Sequence, residues 1–75
     1  MSDETESAAR AAGYAFMKQV CQAGMPRDPV MAGYPGFLQW EKSLHPQIEG
    51  PSRDRLMLAF TEGTVRAYFG RPLED

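Results

Sequence analysis

The sequence has little of the chemistry that usually stabilises a very small domain. It contains one cysteine, Cys21, and one histidine, His45, among 75 residues. One cysteine cannot form a disulfide within the chain, and one cysteine with one histidine cannot supply the four ligands of a structural zinc site. We therefore expect no internal disulfide, no metal ion and no cofactor.

Large apolar side chains are also scarce. Leu, Ile, Val and Phe together make up only 13 of the 75 residues, although five Met, three Tyr and one Trp add bulk. The net charge of −2 is too small to favour disorder, so we predict one folded domain over residues 1–75, with fraying at 1–4 and 71–75. A thin core in so short a chain usually depends on a partner subunit or on very close helix packing.

Long apolar runs are absent as well. No segment approaches the roughly 20 apolar residues that a transmembrane helix needs. The N-terminal residues Asp3, Glu4 and Glu6 are acidic, whereas a secretory signal begins with basic residues and continues with apolar ones. We therefore expect a chain that does not contact a membrane and that resides in the reducing cytoplasm.

Glycine and proline divide the chain into segments that predict an all-α bundle of three or four helices. Two long helices, one N-terminal and one C-terminal, should pack together with one or two short helices between them. The first begins at about Ser2 or Thr5 and ends at Ala23, before Gly24 and Pro26. Its predicted apolar face comprises Ala9, Ala12, Phe16, Val20 and Ala23, flanked by Gly13 and Met17. Its predicted polar face comprises Arg10, Tyr14, Lys18 and Gln22.

The segment 25–36 is rich in proline and glycine. Asp28, directly before a proline, is a helix-start signal and predicts a single turn that ends at Gly33. A second short helix would then begin at Pro35 and end near Leu44. The sequence leaves open whether this segment is helical or a loop.

The last helix, predicted from Pro51 to Phe69 with Gly70 as its stop, is apolar on two sides. One side carries Leu56, Met57, Phe60, Ala67 and Tyr68. A second stripe, nearly opposite, carries Leu58, Val65 and Phe69. A helix that is apolar on two sides is normally covered on two sides, so this second stripe is the predicted protein interface.

Small residues recur at four-residue intervals on both long helices. Ala59, Gly63 and Ala67 form one series, and the first helix offers Ala9 and Gly13. Glycine inside a helix costs about 1 kcal/mol relative to alanine. Close packing of the first helix against the last would compensate for this cost. The alternative is that Gly63 is merely tolerated.

The sequence contains no convincing catalytic constellation. Ser43 and His45 lie close together, but they flank a helix end before a proline, where both residue types are common for local reasons. Cys21 lies near the C-terminal end of the first helix, which is the wrong end to stabilise a thiolate nucleophile. We therefore expect a protein that is not an enzyme.

Four of the six arginines fall within the last 25 residues, namely Arg53, Arg55, Arg66 and Arg71. Such a cluster could contact the phosphates of a nucleic acid. However, the isoelectric point is about 5.3, and basic and aromatic residues are not interleaved, so the electrostatic signal is weak for a nucleic-acid-binding protein. A small nucleic-acid-binding regulator is therefore the alternative hypothesis.

Methionine and aromatic residues concentrate around the middle segment, at Met25, Met31, Tyr34, Phe37 and Trp40. They either fill the core of an irregular connection or form an adaptable protein-binding surface. We predict a non-enzymatic protein-interaction module, either a homodimer or an adaptor or inhibitor that docks on a larger protein. Its predicted contact residues are Leu58, Val65, Phe69, Met31 and Tyr34.

Overall fold

The computed structural model describes residues 2–43 and 50–73. This part of the chain contains three α-helices and no strand. The helices are α1 (Ser2–Ala23), α2 (Pro29–Lys42) and α3 (Gly50–Tyr68). The predicted all-α class is therefore confirmed. None of these helices, over the described residues, combines the length and the hydrophobicity needed to cross a membrane.

The predicted break within the middle segment is wrong. α2 is one helix of 14 residues that continues through Gly33 and Pro35. Its start was predicted correctly, because the carboxylate of Asp28 accepts hydrogen bonds from the backbone N–H groups of Val30 at 2.9 Å and Met31 at 3.4 Å. The predicted end near Leu44 cannot be compared, since 44–49 lie outside the described residues.

Tertiary contacts explain why the glycines do not end α2. Gly33 and Gly36 are buried. A Cβ atom added to Gly33 would lie 2.9 Å from the side chain of Thr64, and one added to Gly36 would lie 2.6 Å from the ring of Phe16. These glycines let α2 approach both other helices. Pro35 lies on the exposed side of α2, where solvent can hydrate the carbonyl that its ring leaves unpaired.

The close packing predicted between the two long helices is confirmed. A Cβ atom added to Gly13 of α1 would lie 2.1 Å from the carbonyl oxygen of Phe60. One added to Gly63 of α3 would lie 2.0 Å from the carbonyl oxygen of Arg10. Both distances are far shorter than any van der Waals contact, so the two backbones touch at positions where only glycine fits.

This close approach also shifts the buried face of α1 from the predicted one. The fully buried positions are Ala9, Gly13 and Met17, whereas Phe16 is half-buried and Ala23 is exposed. The buried line therefore follows the four-residue step through Gly13. Large apolar residues at neighbouring positions lie at the edge of the interface.

The core is small, as expected from the composition. Its buried apolar cluster consists of Ala9, Phe37, Leu56, Ala59 and Phe60. The ring of Phe60 lies at its centre, with ring centroids 5.7 Å from Phe37, 6.1 Å from Trp40 and 6.3 Å from Phe16. One aromatic side chain thus joins all three helices.

The end of α3 agrees with the predicted glycine stop. Gly70 has φ of 70°, and its N–H donates to the carbonyl of Ala67 at 3.1 Å. The N–H of Arg71 donates to the carbonyl of Arg66 at 2.8 Å. These two bonds form a Schellman motif, which turns the chain back along the helix it has just left.

Candidate protein-binding surface

The outer face of α3 carries large apolar side chains that the rest of the described chain leaves uncovered. Leu58 is 72% exposed and Phe69 is 64% exposed, while Val65 is half-buried. The three side chains line one open groove of about 740 Å³. We call this surface the α3 groove, and its full lining is Leu58, Thr61, Glu62, Val65, Arg66, Phe69 and Arg71.

The position of the groove follows from helix geometry. Gly63 and Thr64 direct one side of α3 toward α1 and α2, and Leu58 and Phe69 lie on the opposite side. Thr61 and Glu62 were not among the predicted contact residues. They lie three and four residues after Leu58, so the same helical spacing that identified Val65 could have found them.

The rim of the α3 groove is fixed by polar contacts from α1. The guanidinium Nε of Arg10 donates to Glu62 Oε1 at 2.8 Å. The hydroxyl of Tyr14 donates to the backbone carbonyl of Arg71 at 2.7 Å. Arg10 and Tyr14 were predicted to lie on the polar face, away from the helix contact, and the structure instead places both beside α3. Exposed bonds of this kind add about 1 kcal/mol or less, so their main effect is to position the rim.

The tail after α3 borders the groove at its C-terminal end. Arg66 Nη1 donates to the backbone carbonyl of Pro72 at 3.2 Å. This bond holds the tail beside the last turn of the helix. Arg66 and Arg71 therefore both border the apolar side chains of the groove.

The predicted contact residues of the middle segment lie on another helix. Met31 is 72% exposed and Tyr34 is also exposed, both on α2. Neither lines the α3 groove. The predicted contact residues therefore lie on two separate surfaces. Phe37, which belongs to the same cluster of methionine and aromatic residues in the sequence, is only 1% exposed and lies in the core.

The four C-terminal arginines are not gathered on one surface. Arg53 forms a two-pronged ion pair with Glu41, with Nε 2.5 Å from Oε2 and Nη2 3.1 Å from Oε1. Its guanidinium carbon also lies 5.5 Å from the ring centroid of Phe37. The hydrogen bond to Glu41 raises the pKa of Arg53 above its usual value. Arg53 thus joins the start of α3 to the end of α2.

The remaining arginines are spread along α3. Arg55 is exposed near its start, about 16 Å along the helix axis from Arg66. Only Arg66 and Arg71 share the α3 groove, and Glu62 lies in the same groove. The α3 groove therefore contains two basic side chains, those of Arg66 and Arg71, beside one acidic side chain, that of Glu62.

Cys21 and Ser43, two of the three residues considered for chemistry, lie in the described part of the chain, near the ends of different helices. Within 2–43 and 50–73, no three of the side chains of His, Cys, Asp or Glu lie close enough to hold a metal ion. Cys21 is half-buried and not disulfide-bonded. The hydroxyl of Ser43 donates to the carbonyl of Trp40 at 2.6 Å and caps α2. His45 lies outside the described residues.

Comparison with known proteins assigns no family, because the chain matches no family model, no curated protein and no solved structure. Its function is therefore inferred from the surface just described.

Proposed function

We propose that this chain is a non-enzymatic protein-interaction module of the reducing cytoplasm, and that it binds its partner through the α3 groove. The observation that carries the proposal is the exposure of Leu58 and Phe69 on one face of a helix whose other face fills the core. Covering a leucine or phenylalanine side chain contributes about 1.5–3 kcal/mol. Two such anchors in one groove give a partner a substantial part of its binding free energy.

Nucleic-acid binding through the C-terminal arginines is the less favoured function. Arg53 is engaged by Glu41, and Glu62 lies beside Arg66 and Arg71 in the groove. A phosphate that approaches this groove would meet a carboxylate and exposed apolar side chains. Protein side chains fit that mixture better than a nucleic-acid backbone does.

Site-specific photo-crosslinking in the native host tests the proposal. A photo-reactive phenylalanine analogue replaces Leu58 in one variant and Gln19, an exposed residue of α1, in the control. We expect protein adducts from position 58 and none above background from position 19. Equal yields from the two positions, or no adduct at position 58, would overturn the proposal.

A further inference from the structure

We propose that the occupant of the α3 groove is a second copy of this chain, bound with its α3 antiparallel to the first about a two-fold axis. This inference rests on the proposed function and names the partner. It is carried by the order of the side chains along the groove and by the charges among them.

The apolar and polar positions along the groove have the spacing of a helix–helix seam. Leu58, Glu62, Val65 and Phe69 follow one another at steps of four, three and four residues, which keep side chains on one line facing a second helix. In a two-fold pair, if residue i meets residue j, then j also meets i. Placing Leu58 against Phe69 of the second copy therefore places Glu62 against Val65 of the second copy.

This register puts an apolar contact at each end of the seam. Leu58 and Phe69 are about 16 Å apart along the helix axis. An antiparallel pair brings Leu58 of each copy to Phe69 of the other, and both anchors lose their contact with water. The two contacts are related by the two-fold axis, so a shift of one helical turn would break both of them at once.

The charges favour the antiparallel direction. Glu62 and Arg66 both line the groove, and Glu62 remains 57% exposed while it binds Arg10. In the antiparallel register, Arg66 of the second copy adjoins its Val65 and so comes close to Glu62. A parallel pair would instead place Glu62 beside Glu62 and Arg66 beside Arg66. Charges at such a rim select orientation more than they add affinity.

Sedimentation velocity over a range of protein concentrations tests the self-association. We expect the wild-type chain to form a dimer, and Leu58→Glu to raise its Kd by about tenfold or more, because a charge would face Phe69 of the second copy. Met31→Glu is the matched control, since Met31 is also 72% exposed but lies on α2. We expect its dimer to be unchanged, and circular dichroism to show that both variants are folded.

Disulfide trapping tests the register. In a Cys21→Ser background, chains with Leu58→Cys are mixed with chains with Phe69→Cys under mild oxidation. We expect mixed dimers to form at least about tenfold faster than either homodimer, because like positions would lie about 16 Å apart and a disulfide needs Cβ atoms within about 4.5 Å. Equal rates for mixed and like pairs would overturn the antiparallel register.

Different results would overturn the proposed dimer and the proposed function. A wild-type chain that stays monomeric at about 1 mM, where a dimer with a Kd of about 1 mM is half formed, would overturn the dimer. A larger dimer effect from Met31→Glu than from Leu58→Glu would overturn the α3 groove as its interface. If the chain is monomeric, photo-crosslinking of position 58 to a different protein in the cell would still support the interaction function. The absence of any adduct would overturn the interaction function as well as the dimer.

Discussion

The inner and outer faces of α3 both carry large apolar residues, but only the inner face is packed against the rest of the fold. On the inner face, Gly63 has no room for a single extra carbon, because its backbone meets that of α1. On the outer face, Leu58 and Phe69 project into an open groove. The inner face therefore combines close backbone packing at Gly63 with the buried ring of Phe60, whereas large exposed side chains mark the face where we expect binding. Apolar character alone does not distinguish the two.

A pair of phenylalanine substitutions should give the largest contrast between the faces. Phe60→Ala removes the 1%-exposed ring at the centre of the core, and we expect it to lower the free energy of unfolding by about 4 kcal/mol. Phe69→Ala removes a ring that is 64% exposed, and we expect a change within about 0.5 kcal/mol. Urea unfolding, at a protein concentration at which sedimentation velocity shows only monomer, measures both. Similar losses from the two variants would show that the outer face contributes to the fold.

A pair of glycine substitutions should give the next largest effect. Gly63→Ala forces α1 and α3 apart, because its Cβ atom would lie 2.0 Å from the carbonyl oxygen of Arg10. We expect a loss of about 3 kcal/mol in the free energy of unfolding. Gly24→Ala is the control, since no atom lies within 4 Å of a Cβ at Gly24. Thermal unfolding followed by circular dichroism compares them, and a Gly63→Ala variant as stable as Gly24→Ala would refute the close backbone contact.

The smallest expected effect is that of an arginine substitution on the outer face of α3 on binding to heparin. We expect the wild-type chain to elute from a heparin column at low salt, and Arg71→Ala to elute at the same point. Salt-resistant retention that Arg71→Ala weakens would instead support nucleic-acid binding. Arg27→Ala, an exposed arginine outside the α3 groove, shows whether any change is specific to the groove.

Most of the helix ends could be predicted because their causes are local. Asp28 caps α2 through N–H groups two and three residues ahead, and Gly70 ends α3 through bonds within its own last turn. The two apolar sides of α3 were likewise visible, since helical periodicity depends only on spacing. What such local signals determine is where helices begin, where they end and which residues share a face.

The continuity of α2 could not be predicted, because it depends on residues distant in the sequence. Gly33 normally favours a helix end, yet here it is the point at which Thr64 contacts α2. The contacts at the rim of the α3 groove could not be predicted for the same reason. Arg10 and Glu62 are 52 residues apart, and only the close approach at Gly13 brings them together.

The bonds of Arg10 and Tyr14 to the far side of α3 make the groove dependent on the docking of α1. If α1 detaches, the carboxylate of Glu62 and the tail at Arg71 lose the contacts that hold them in place. Any ligand that recognises the complete groove therefore binds the folded chain in preference to the unfolded one. Through thermodynamic linkage, such a ligand at 100 times its Kd would add about 2.7 kcal/mol to the stability of the fold. Because the core is so small, ligand binding would contribute a large share of the stability of the fold. The melting temperature would therefore report how much of the protein has its α3 groove occupied.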